Sequence, residues 1–84
     1  MRYPVIWTPN AEGMLAELWL NSAHRQAVTA ASHAIDQQLR IDPDQQGESR
    51  DQGRRILLET PLGVLFRVLP ADRIVYVLTV WETQ

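Results

Sequence analysis

The chain has 84 residues, no cysteine and a formal net charge of −2, with ten acidic side chains against eight basic ones that are all arginine. This length holds one modest core, and the absence of cysteine excludes disulfides and thiolate metal sites as sources of stability. The negative balance argues against a general nucleic-acid binder, no apolar run approaches the roughly 18 residues of a membrane span, and MRYPVIW is too short an apolar start for a secretory signal; a cytoplasmic protein is expected, with no membrane partner.

In chain order, residues 3–7 (YPVIW) read as a strand, with Pro4 favouring an edge or a beginning. Thr8-Pro9 is a helix start, because Thr at the N-cap accepts a backbone hydrogen bond and Pro at the first helical position loses nothing by lacking an N–H. Ala11, Leu15, Leu18 and Trp19 then fall on one face of a helix ending near Leu20. Asn21-Ser22 breaks the chain before a second helix over residues 23–40, whose expected buried stripe is Ala27, Ala31, Ala34, Ile35 and Leu39, with Val28 at its border. Residues 42–53, DPDQQGESRDQG, contain no large apolar side chain and are expected to form a long loop.

Three strands are expected in the last third: 54–59 (RRILLE), 63–69 (GVLFRVL) and 73–81 (RIVYVLTVW), all rich in branched and aromatic residues. The short connections at Thr60-Pro61-Leu62-Gly63 and Pro70-Ala71-Asp72 imply an antiparallel meander. The expected fold is α+β, a single domain over residues 1–84 in the order β-α-α-β-β-β, with a helical hairpin on one face of a small, mainly antiparallel sheet.

Period-2 alternation divides the faces. Val64, Phe66 and Val68 make an apolar face directed at the core, joined by Ile56 and Leu58. Arg55, Leu57 and Glu59 fall on the other, mixed side with Leu65, Arg67 and Leu69. The last strand is apolar on both sides, so alternation leaves its orientation open. A helical layer covers only one face of so small a sheet, and each buried apolar Å² is worth about 25 cal/mol; the second face keeps an incentive to find a partner.

Chemical motifs are sparse. Asp42, Asp44 and Gly47 match the first half of a calcium loop, but Gly53 stands where the bidentate Glu is needed. His24 and His33 are nine residues apart and cannot form the four-residue pair of a zinc helix, and Asp36 and Glu59 form no recognisable acid/base pair, so neither metal nor cofactor is expected. Arg50, Arg54, Arg55 and Arg67 remain, suited to bidentate contact with phosphate or carboxylate, although arginine stays protonated and is a poor general base.

The opening YPVIWTPNAEGMLAELW, the helical AIDQQL segment and the closing RRIL, GVLFRVL and RIVYVLTVW together resemble the RelE/ParE superfamily of bacterial type II toxins over nearly the whole chain. The resemblance implies a first strand paired beside the meander and a toxin component neutralised by an antitoxin protein, here through the open sheet face. Its candidate partner-binding residues are Arg50, Arg55, Leu57, Leu65, Arg67 and Trp81. RelE-like members cleave mRNA on the ribosome and ParE-like members inhibit DNA gyrase, so an endoribonuclease reading would use Arg54, Arg55 and Arg67 as catalytic candidates. Gly63 stands where RelE-like ribonucleases place an arginine, and Glu82-Thr83-Gln84 follows the last strand where many relatives carry basic residues. A non-toxic interaction module or homodimer of the same fold is the alternative.

Overall fold

The computed structural model describes residues 2–83. Its regular elements are β1 (Val5–Trp7), α1 (Pro9–Asn21), α2 (Arg25–Leu39), β2 (Glu48–Ser49), β3 (Arg54–Glu59), β4 (Leu62–Leu69) and β5 (Ile74–Glu82). The strands form one sheet in the order β1-β5-β4-β3-β2, with β1 parallel to β5 and every other pair antiparallel. Both helices lie on one face, so the α+β architecture is the expected one. No helix among the described residues is long and apolar enough to cross a membrane.

α1 begins as its sequence dictates. Thr8 is the N-cap, its hydroxyl accepting from the Ala11 N–H at 3.2 Å and donating to the Val77 carbonyl at 3.0 Å, with Pro9 following in the first turn. The same bonds dock the helix start onto β5, where Asn10 Nδ2 also donates to the Leu78 carbonyl at 3.1 Å.

The core joins Ala11 of α1 and Val28, Ala31, Ile35 and Leu39 of α2 to Leu57, Leu62, Val64, Phe66, Val75, Val77 and Val80 of the sheet. The α2 stripe is rotated from the expected one: Val28 is fully inside, Ala34 is half-buried and Ala27 is exposed. The rotation brings Val28 against the sheet in place of Ala27, and the greater apolar area of valine counts for more than that of an alanine.

Residues 42–53 are more ordered than a loop. Two single 3₁₀ turns, Pro43–Gln45 and Asp51–Gly53, flank β2, which pairs with β3 through Glu48 opposite Ile56 and Ser49 opposite Arg55. Pro43 is buried, and the Arg50 N–H donates to the Arg54 carbonyl at 2.7 Å. Gly47, at φ +65°, permits this return: a Cβ there would collide with the Ile56 carbonyl.

The structure corrects one expectation about the faces of the sheet and settles the orientation of the last strand, which alternation left open. The two-residue turn at Thr60-Pro61 pairs Glu59 with Leu62, so odd-numbered β3 residues lie opposite even-numbered β4 residues. Leu57, opposite Val64, is therefore in the core, whereas Leu58 is 61% exposed; the alternation-based expectation is reversed throughout β3. In β5 the pairing with β4 shifts between Leu65, opposite Thr79, and Phe66, opposite Val77. Leu78 is the extra residue of this bulge. Val75 and Val77 before it and Val80 after it all point inward, so the buried set of β5 follows no strict period of two.

Candidate functional site

The sheet face turned away from the helices is built from three cross-strand rows. One runs Arg54, Arg67, Tyr76 and Ile6 across β3, β4, β5 and β1; the next runs Ile56, Leu65 and Thr79; the third runs Leu58, Gly63 and Trp81. The face is apolar toward the turn between β3 and β4 and cationic at its opposite end. Ile6 is 41% exposed, and Ile56, Leu65, Tyr76 and Trp81 are half-buried.

Trp81 lies flat on this face because its neighbour has no side chain. A Cβ on Gly63 would stand 2.6 Å from Cε2 of the indole, inside any tolerable contact. The ring buries Gly63 and closes the sheet surface at that point while keeping its own outer side in solvent.

At the cationic end, Arg54 and Arg67 are directly opposite each other. Arg54 Nε donates to the Asp51 carbonyl at 3.2 Å, and Arg67 is exposed, with no hydrogen bond or ion pair from its side chain among the described residues. Arg50 stands at the rim, with one guanidinium nitrogen 3.2 Å from the Glu48 carboxylate and another donating to the Ser49 carbonyl at 2.9 Å. Ser49, Arg50, Asp51, Arg54 and Leu65 line a shallow cleft there.

Of the residues expected from sequence to bind a partner, Leu65, Arg67 and Trp81 share this face and Arg50 borders it. Leu57 and Arg55 do not. Leu57 is a core residue at 7% exposure, and Arg55, opposite Phe66 on the helix-covered side, donates to the carbonyls of Gln46 at 2.8 Å and Gly47 at 3.2 Å. Arg55 thus fastens the 42–53 segment to the sheet and is separated by the sheet from Arg67. Among the three catalytic candidates, only Arg54 and Arg67 come together. Ile6, Ile56, Leu58 and Tyr76 join the face without having been singled out from sequence as partner-binding: the length of the 60–61 turn places Ile56 and Leu58, the β5 bulge puts Tyr76 on the same face as Trp81, and Ile6 follows from its pairing with Tyr76.

His24 and His33 are both exposed. Asp36 is held by Arg40 at 2.8 Å and accepts a 3.4 Å bond from Trp7 Nε1, while Glu59 accepts from Gln38 Nε2 at 2.7 Å. Among the described residues, no three His, Asp or Glu side chains come together as a metal site.

No family model matches the sequence, and no curated protein matches it. Solved structures do match the fold. The RelBE2 toxin-antitoxin complex of Mycobacterium tuberculosis contains a chain with TM-score 0.80 and 20% identity, over 98% of this chain and 92% of that one. A chain of the chromosomal ParDE toxin-antitoxin system of P. aeruginosa gives 0.70 and 22%, over 99% and 98%. E. coli toxin RelE, in the free state of an arginine-substituted mutant, gives 0.62 and 16%, over 98% and 84%. The chain has the fold of the RelE/ParE superfamily.

Proposed function

We propose that the protein is the toxin-family component of a type II toxin-antitoxin module and binds its antitoxin through the open sheet face. The observation that carries this reading is the uncovered row structure of that face, in which Ile6, Ile56, Leu58, Leu65, Tyr76 and Trp81 gather beside Arg54 and Arg67. The helical hairpin shields the other side, so this is where additional apolar burial is available to a partner. Two solved structures of the same fold, RelBE2 and ParDE, are toxin-antitoxin assemblies, which supports the choice of partner.

The test is co-expression with the product of the adjacent small reading frame. Growth arrest by the protein alone, relieved by that product, and loss of the relief on Leu65→Glu with arrest retained, is the expected result. A stable monomer that arrests nothing and ignores the neighbouring product overturns the proposal. The same apolar face favours a second reading, a homodimer or non-toxic interaction module, in which Trp81→Glu shifts sedimentation from dimer to monomer. The ribonuclease reading narrows to Arg54, Arg67 and the neighbouring Tyr76, and mRNA cleavage unaffected by Arg67→Ala would remove it.

A further inference from the structure

Like charges placed directly opposite on adjacent strands destabilise a sheet unless something neutralises them. Arg54 and Arg67 are such a pair. No carboxylate reaches either among the described residues: the ion pairs present are Arg40 with Asp36 and Arg50 with Glu48, and the polar contact of Arg54 is a backbone carbonyl. Tyr76, which carries a hydroxyl donor, follows Arg67 in the row, and Leu65 lies two residues from Arg67 on the same face.

We infer that the Arg54–Arg67–Tyr76 row is a carboxylate subsite, and that it fixes the register of an acidic, amphipathic segment of the partner on the open face. This rests on the antitoxin reading and adds the chemistry of recognition to it. Two arginines directly opposite each other on one face offer forked N–H donors that match a carboxylate, which a point charge would not do.

Carboxylate is favoured over nucleic-acid phosphate by what surrounds the row. A strand of nucleic acid needs a basic track that follows successive phosphates, whereas here the next row is Ile56, Leu65 and Thr79 and the one after it Leu58, Gly63 and Trp81. One anion beside an apolar strip is the complement of a protein segment.

The spacing specifies that segment further. Arg67 and Leu65 are two residues apart on one strand, about 7 Å. A partner meeting both needs an Asp or Glu and an apolar side chain two residues apart if it is extended. If it is helical they must be three or four apart, since side chains at those spacings lie about 5–6 Å from each other on one helix face.

The experiment uses the full chain and the purified product of the adjacent reading frame, with affinity measured across a salt series. Arg54→Gln/Arg67→Gln is expected to weaken binding at least tenfold and to flatten the salt dependence, while Arg54→Lys/Arg67→Lys keeps the salt dependence and recovers only part of the affinity. Both arginines are outside the core, and the Gln pair removes their mutual repulsion, so a urea midpoint at or above that of the wild type confirms that the Gln variant is folded and an unchanged one that the Lys variant is. Binding within twofold of wild type by the Gln variant, together with loss of binding on Leu65→Glu, overturns the carboxylate subsite and leaves the antitoxin reading standing. No binding by the wild-type chain overturns both. Tight binding of a single-stranded RNA 12-mer that disappears in the Gln variant assigns the row to phosphate and also overturns the inference.

Discussion

Leu57 and Leu58 are adjacent, chemically identical and on opposite faces of β3, so replacing each with alanine measures the orientation of the strand directly. Leu57 is 7% exposed, sits opposite Val64 and belongs to the core that α2 closes from above. Leucine-to-alanine changes in cores cost about 2–5 kcal/mol, the lower values arising where neighbours relax into the space. With only β2 outside it, β3 lies near the sheet edge, so about 2.5 kcal/mol is the expected loss at Leu57. Leu58 is 61% exposed, and its replacement is expected to stay within about 0.5 kcal/mol. For a domain of this size 1 kcal/mol corresponds to about 4–8 °C in Tm, so Leu57→Ala is expected to melt about 10–20 °C lower. Total stability at this length is of order 4–13 kcal/mol, so the variant retains a folded baseline in all but the weakest case. Urea unfolding followed by tryptophan fluorescence gives both values. Equal losses at the two positions, or a larger loss at Leu58, would refute the register set by the Thr60-Pro61 turn.

Two further substitutions probe the elements that shape the face. Gly63→Ala places a methyl group 2.6 Å from the Trp81 indole; the ring is expected to lift off the sheet, with red-shifted emission and a loss of about 1–3 kcal/mol as in other overpacked sites, and an unchanged spectrum in a Trp7→Phe/Trp19→Phe background would contradict the packing. Arg55→Ala removes the donors to the Gln46 and Gly47 carbonyls; faster amide exchange over residues 43–50 is expected, at a cost of about 1.5 kcal/mol for bonds from a charged donor, whereas protection unchanged from wild type would show that Arg55 does not hold this segment.

Much of this architecture is legible in the sequence because local signals and tertiary structure agree. The strand 54–59 has the bounds its branched residues suggest, and Thr8-Pro9 caps α1. The faces are less legible because they depend on the length of one turn, whose presence but not whose length composition reveals, and on one bulge with no local signature. The 60–61 turn changes which parity of β3 faces the core, and the Leu78 bulge breaks the alternation of β5. β2 was hidden for another reason. Glu48 and Ser49 are polar and exposed, so hydrophobic patterning carries no trace of a strand held by backbone pairing alone.

The reversal of β3 also changes what an arginine experiment means. Moving Leu57 inward necessarily moves Arg55 to the helix side and brings Arg54 out beside Arg67, because residues alternate along one strand. The three arginines that look equivalent in sequence therefore serve two structures: Arg54 and Arg67 form the cationic end of the open face, and Arg55 anchors the 42–53 segment. A triple-alanine variant would weaken the face and loosen that anchor together, and a lost activity could come from either. Arg54→Gln/Arg67→Gln with Arg55 intact isolates the face; Arg55→Ala alone isolates the anchor, and its effect on partner binding is expected to be smaller than that of the pair. Equal effects would mean that β2 and the rim it carries, including Arg50, are themselves part of the binding surface.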